Sequence, residues 1–170
     1  VSREKGVLVH YAETHDNDRL AKRGKIYTQM RLYLCAMTSF AGAWGFTNGV
    51  EWLATEKIDV HRNAGLNWGH PENLVAEIAR INRILGENPA FWERNNLSIV
   101  PVGSEDVLGI VRRSDTQRNV VLAAINLNTD APAAFRWDVA PFGSEGKTVL
   151  CDLLADDNPP QEVVGPLGMT

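Results

Sequence analysis

Seven consecutive residues, Glu13-Thr14-His15-Asp16-Asn17-Asp18-Arg19, bring together carboxylates, an imidazole and a guanidinium. A carboxylate beside a developing cation lowers the barrier to forming it, and an adjacent imidazole can donate a hydrogen bond to a hydroxyl. The residues on either side suit such a role. The run from Val7 to Ala12 is mostly apolar and contains β-branched Val7 and Val9, which predicts a buried strand. Leu20 to Phe40 follows with helical spacing. A strand ending in polar groups and then a helix is the layout of a βα-loop, and ligand-binding groups gather at the carboxyl ends of strands in such folds. The same Asp and Asn residues would also serve a polar turn that only caps the next helix.

The elements that must position this loop can be read in chain order. Residues 1–6 are polar and charged, a frayed edge. From Arg23 to Phe40, Ile26, Met30, Leu34, Met37 and Phe40 recur at steps of three or four, with Tyr27, Leu32 and Tyr33 widening the stripe. Gly42, Gly45 and Gly49 break that pattern around a short apolar strand, Ala43-Trp44-Gly45-Phe46. Asn48-Gly49-Val50-Glu51-Trp52 closes this second strand with another carboxylate, Glu51. Leu53 to Gly69 lacks periodicity and is long for a connector, so it is expected to be a functional or ordered surface loop. Pro71 is expected to open a helix whose apolar face is Leu74, Val75, Ile78, Ile81, Ile84 and Leu85, stopped by Gly86 and Asn88-Pro89. That order is a βαβα unit. Five short β-prone runs follow, Leu97 to Val102, Val107 to Arg113, Asn119 to Asn126, Ala133 to Val139 and Lys147 to Leu153, separated by turn residues. They predict a small antiparallel sandwich or barrel beyond a boundary near Glu93 to Asn96, ending in a Pro- and Gly-rich tail with no closing strand. The fold class is therefore α/β followed by all-β.

Composition narrows the function. Across 170 residues, 44% hydrophobic and 22% charged is ordinary for a soluble globular chain. A net charge of −4 and a pI near 5.6 carry no footprint for nucleic acid. No apolar run approaches the ~18 residues of a membrane span, and no signal peptide is visible. The two cysteines, Cys35 and Cys151, lie far apart in apolar contexts, which favours buried, reduced thiols over a disulfide and a cytoplasmic setting. His10 and His61 lack paired ligand spacing, so no metal site is expected, and no phosphate loop or nucleophile elbow calls for a cofactor. The first residue is Val1, and the chain is expected to start in mid-fold as a piece of something longer.

Here a resemblance becomes specific. Thr14-His15-Asp16-Asn17 resembles the Asn-His-Asp motif at the end of the seventh barrel strand in the α-amylase superfamily, glycoside hydrolase family 13, with Thr in the first place. Phe46-Thr47-Asn48-Gly49-Val50-Glu51 is similar to the end of the eighth strand, and Pro71 to Pro89 to the last barrel helix. Glu56-Lys57 ahead of that helix is most similar to the maltosyltransferases that use maltose 1-phosphate, although Ile58 stands where they commonly have Tyr. The resemblance implies the last βαβα part of a (β/α)8 barrel in residues 1–95. Residues 96–170 would then form a C-terminal antiparallel β-sandwich lacking its last strand.

The resemblance gives Asp16 the part of the carboxylate that stabilises the oxocarbenium-like transition state, and His15 a hydrogen bond to the same sugar ring. Glu51 and Lys57 are further candidates for holding substrate, an α-glucan or maltooligosaccharide; a salt-bridge partner and a solvated lysine are their plainer readings. Asn17 and Arg19 are expected to shape the loop, and Trp68 to pack in the core more readily than to line a sugar groove. Retaining glycosidic chemistry needs a nucleophile and a general acid about 5 Å apart. The family carries these on its fourth and fifth strands, and nothing in the chain resembles either motif. A whole barrel takes ~250 residues. The chain alone is thus expected to be inert, and its uncovered strands are expected to drive self-association. A non-catalytic carbohydrate-binding module and a purely structural domain are the alternatives.

Overall fold

The structure, a computed structural model, describes residues 8–59, 61–62, 65–92, 97–116, 118–138, 148–155, 160–163 and 166–169. Strand β1 (His10–Tyr11) pairs in parallel with β2 (Trp44–Gly45), with His10 opposite Trp44 and Tyr11 opposite Gly45. The N–H of Ala12 donates to the Gly45 carbonyl at 2.9 Å. Between the strands lie a 3-10 turn (Leu20–Arg23) and helix α1 (Lys25–Met37). This is a βαβ crossover, and it sets the carboxyl ends of both strands side by side. Strand β1 is shorter than expected, because Leu8 and Val9 are exposed rather than buried in a strand; Val7 lies outside the described residues.

Helix α1 is apolar over much of its circumference, and the face that ends up buried differs from the expected stripe. Thr28, Leu32, Cys35, Ala36 and Met37 are buried. Ile26 is 64% exposed, and Met30 and Leu34 are only partly covered. The reason is spatial: α1 packs against helix α2 (Val75–Glu87) and the β-strands on one side only. The expected helix opening at Pro71 is also corrected. The first turn begins at Val75, whose N–H donates to the Asn73 side chain at 3.1 Å, while Asn73 Nδ2 donates to the His70 carbonyl at 3.0 Å. These side chain–backbone bonds hold residues 70–73 in a turn ahead of the helix. Leu74, Ile78, Ile81, Ile84 and Leu85 are buried as their spacing predicts, whereas Val75 is exposed. Asn88 Nδ2 caps the end by donating to the Ile84 carbonyl at 2.8 Å, and a 3-10 turn (Pro89–Phe91) leads on.

The second half is antiparallel. Strands β3 (Leu97–Val100), β4 (Val107–Arg113) and β5 (Val120–Asn126) form one sheet in that order. Strand β6 (Phe135–Asp138) pairs with β9 (Pro166–Met169), and β7 (Thr148–Leu150) with β8 (Gln161–Val163). The expectation of a tail without a closing strand is therefore corrected: residues 161–163 and 166–169 contribute two strands. The expected single sandwich is, among the described residues, a three-stranded sheet and two separate pairs. The expected boundary at 93–96 lies outside the described residues.

One hydrophobic core runs through both halves, joining Leu32, Ile81 and Phe91 to Ile110, Val121 and Ile125. Arg112 fastens the sheet to the helical part. Its buried guanidinium donates to the carbonyls of Ser39 at 2.7 Å, Met37 at 3.2 Å and Ala90 at 3.2 Å, and lies 4.6 Å from the centre of the Phe91 ring. It thereby satisfies carbonyls at the end of α1 that have no partner within the helix. Both cysteines are free thiols; Cys35 is buried, but Cys151 is exposed, contrary to expectation.

Candidate active site

The polar loop follows β1 directly, at the carboxyl end of the parallel pair. It is built around a buried ion pair. Arg19 Nε lies 2.9 Å from Glu13 Oε1, with both side chains essentially inaccessible. The N–H does not point along that contact, and among the described residues Arg19 Nη1 has no hydrogen-bond partner. The other Glu13 oxygen accepts the Leu20 N–H at 2.7 Å, and Arg19 Nη2 donates to the Asn48 carbonyl at 2.9 Å. Thr47 Oγ1 donates to the Glu13 carbonyl at 3.1 Å. Residues 13 and 19 thus close the loop at its base and tie it to the end of β2. Gly49 allows the close approach: its φ is 93°, and a Cβ there would lie 3.0 Å from Arg19 Nη2.

Burial, the largest influence, pushes the Glu13 carboxyl above its ordinary pKa, aided by nearby Glu51; the Leu20 N–H and Arg19 pull against it. Glu13 lies in the expected polar stretch, but the sequence alone assigns it no role of its own. Its signal in the sequence is a carboxylate directly after an apolar strand, six residues ahead of an arginine.

Above this base the loop turns outward. Asn17 N–H donates to the Thr14 carbonyl at 3.1 Å, and Thr14 Oγ1 donates to Asn17 Oδ1 at 2.7 Å. Asn17 and Arg19 therefore shape the loop as their types predict. Asp16 and His15 occupy its exposed tip, with His15 Nε2 3.5 Å from Asp16 Oδ1. Lys57 arrives from the loop after β2, its ammonium donating to the Asp16 carbonyl at 2.8 Å. Asp18 is held below the ordinary carboxylate range by the Lys22 ammonium 2.6 Å away.

The structure thus brings His15, Asp16 and Lys57 together. Glu51 stands apart from that tip: its carboxylate accepts the Gly49 N–H at 2.9 Å, and its carbonyl accepts the Leu74 N–H at 2.8 Å. Trp68 is exposed rather than in the core, and His61 is exposed as well. Among the described residues no group of three or more His, Cys, Asp or Glu is placed to hold a metal ion, and no helix is long and apolar enough to cross a membrane.

An exposed carboxylate and imidazole on a loop with a rigid base can receive a polyhydroxylated ligand from solvent. A fixed base keeps the donors and acceptors pre-organised when that happens.

No protein-family model matches the chain. It is 26% identical over 145 residues to an alpha-1,4-glucan:maltose-1-phosphate maltosyltransferase of Burkholderia pseudomallei, covering 76% of this chain and 13% of that protein. It is 30% identical over 121 residues to the protein of the same name from Pseudomonas aeruginosa, covering 64% and 18%. Its fold matches an alpha-amylase of Lactobacillus plantarum with a TM-score of 0.67 at 18% identity, over 96% of this chain and 38% of that one. It also matches a noncanonic maltogenic alpha-amylase of Thermotoga neapolitana with a TM-score of 0.60 at 14% identity, over 96% and 39%. The chain therefore spans less than a fifth of the curated relatives' length. Two parallel strands joined through α1, a second helix and an antiparallel sheet give the chain a fold shared with these alpha-amylases, and its sequence is similar to the two maltosyltransferases.

Proposed function

We propose that this chain is the C-terminal portion of an α-amylase-type enzyme that acts on α-glucans by a retaining mechanism. In this reading β1, α1, β2 and α2 are the last βαβα part of a (β/α)8 barrel, and β3 to β9 belong to the C-terminal β-domain. Asp16 is the transition-state carboxylate and His15 the hydrogen-bond donor to the same sugar. The observation that carries the reading is their placement: both stand at the exposed tip of a loop at the carboxyl end of a parallel strand, over a buried ion pair. That is where a barrel gathers its catalytic groups.

The names of the two curated relatives favour glycosyl transfer from maltose 1-phosphate to a glucan over hydrolysis. Lys57, tied to the Asp16 backbone, sets the height of the tip, and Glu51 supports the turn after β2 from behind. The nucleophile and general acid lie in a preceding part of the parent, so the chain alone is inert. No cofactor is required. Two free thiols support a reducing, cytoplasmic setting. The exposed Leu8, Val9, Tyr11 and Ile26 supply an apolar surface for self-association of the isolated chain.

The test is turnover by the complete protein. The coding sequence upstream should supply a strand-end Asp and a strand-end Glu, and the complete protein should transfer maltosyl units from maltose 1-phosphate to a glucan. Asp16→Asn should lower kcat by about 10²–10³ or more, the scale for losing one electrostatic stabiliser. An Asp16→Asn variant with wild-type kcat would leave the loop a structural cap, and sugar binding by the chain without turnover by the parent would make it a binding module. Turnover by the 170-residue chain alone would overturn the assignment of the missing carboxylates.

A further inference from the structure

Asp16 stands midway along a short closed loop. Glu13 lies three residues before it and Arg19 three residues after it, and their side chains meet across the neck, Nε to Oε1 at 2.9 Å. The contrast in exposure is steep: the Glu13 and Arg19 side chains are 1% and 0% exposed, and the Asp16 side chain is 82% exposed. The neck is also fastened sideways. Arg19 Nη2 donates to the Asn48 carbonyl at 2.9 Å, and Thr47 Oγ1 donates to the Glu13 carbonyl at 3.1 Å. From the other side Lys57 donates to the Asp16 carbonyl at 2.8 Å. All three ties run to residues that follow β2, so the position of Asp16 is set relative to the end of that strand.

Stability alone is a poor reason for this pair. Burial pushes the Glu13 carboxyl above its ordinary range, the Nε–H is misaligned on it, and Nη1 has no acceptor among the described residues. A buried ion pair with such gaps in its hydrogen bonding repays its desolvation poorly, and apolar side chains of similar volume commonly stabilise as well or better. What apolar side chains lack is direction. A guanidinium carries its donors in a rigid fork, and this one reaches Glu13 in the loop after β1 and Asn48 after β2. It thereby fixes both distance and angle between the two segments.

We propose that Glu13 and Arg19 are positioning residues for the Asp16 carboxylate, holding the tip of the loop in register with the end of β2 so that Asp16 meets the reacting sugar at a fixed distance. The role of Asp16 itself rests on the proposed function; the hold on the loop rests on the pair and its ties to Thr47 and Asn48. Both residues are buried beneath the tip and act through Asp16 rather than on the sugar. Their effect on turnover is geometric, and a displacement of about 1 Å at a reacting group costs about 10²-fold in rate.

Turnover by the complete protein is the first readout. Glu13→Gln keeps an oxygen for the Leu20 N–H and removes the charge opposite Arg19. Arg19→Lys keeps a cation but lacks the fork that spans Glu13 and Asn48. Each should lower kcat by about 10–10²-fold and leave KM within about threefold, in protein that urea unfolding shows to be folded under the assay conditions. A purely structural pair would lower activity only in proportion to the unfolded fraction. That result, or a rise in KM at wild-type kcat, would overturn the proposal. The second readout needs no turnover. Within the tip the Asn17 N–H donates to the Thr14 carbonyl at 3.1 Å. In the 170-residue chain, Arg19→Lys should speed exchange of that amide with solvent by about tenfold, while the Ile81 and Ile84 amides of α2 change only as overall stability does. An unchanged Asn17 amide would overturn the hold on the loop. Absence of turnover by the wild-type complete protein would count against the proposed function instead, and the amide measurement would still decide the role of the pair.

Discussion

Replacing Arg19 by Met keeps the aliphatic stem and removes the guanidinium from the base of the loop. The Glu13 carboxylate then stays buried with the Leu20 N–H, and the Asn48 carbonyl loses the donor that ties the loop to β2. Removing one partner of a buried ion pair costs about 3–5 kcal/mol. Two features set this pair at the lower end: the Nε–H is misaligned on Glu13, and Nη1 has no acceptor among the described residues. We expect a loss of about 3 kcal/mol near neutral pH. With a urea slope of about 1–3 kcal/mol per molar, the midpoint falls by about 1–3 M.

The pH dependence gives a sharper check. Burial already raises the Glu13 pKa, and Arg19 is one of the influences holding it down. In the variant that restraint is gone and the carboxyl rises further. The folded variant then binds a proton more tightly than its unfolded chain. Its stability therefore rises as pH falls from neutral through the folded pKa, and the gain is complete below the ordinary carboxyl range. Urea unfolding followed by tryptophan fluorescence, at about pH 7.5 and about pH 5, should show the gap to wild type narrowing on acidification. A gap below about 1 kcal/mol, the value of an exposed pair, would refute the reasoning, as would one that stays constant or widens.

Arg112→Met removes the donors to three carbonyls that join the sheet to the ends of α1 and the 3-10 turn. Burial lowers the Arg112 pKa to about 10, so it is still protonated at neutral pH, and its loss should cost about 3 kcal/mol or more in urea unfolding. Thiol titration of the native chain should find one rapidly reacting group, the exposed Cys151. Cys35, pushed to about 11 by burial, should react only after unfolding. Sedimentation of the isolated chain should show a dimer or larger species, and Cys151→Ser should leave that mass unchanged; a monodisperse monomer would refute association through the apolar surface.

Local chemistry made a good part of this molecule legible from its sequence. The Leu74, Ile78, Ile81, Ile84 and Leu85 spacing predicts the buried face of α2, because a 3.6-residue period places those side chains on one side whatever lies opposite. The antiparallel strands β3, β4 and β5 follow from short β-prone runs between turn residues. The position of the polar loop follows from the apolar run ahead of it, and the Asn17 and Arg19 bonds within it follow from residue type. The likeness to alpha-amylases and to the maltosyltransferases was likewise suggested by short motifs in order, which sequence preserves.

What depended on partners far along the chain was not legible. Ile26 and Leu32 are equally apolar, and only the placement of α2 and the sheet decides that Leu32 is buried and Ile26 is not. Trp68 reads as a core residue until the Asn67 turn and the Trp52 ring hold it in solvent. Glu13 is one carboxylate among several until the fold buries it against Arg19 and leaves Asp16 exposed. Hydrophobic spacing fixes which side chains share a face, but burial and charge pairing are properties of the space between elements, and only the folded chain defines that space.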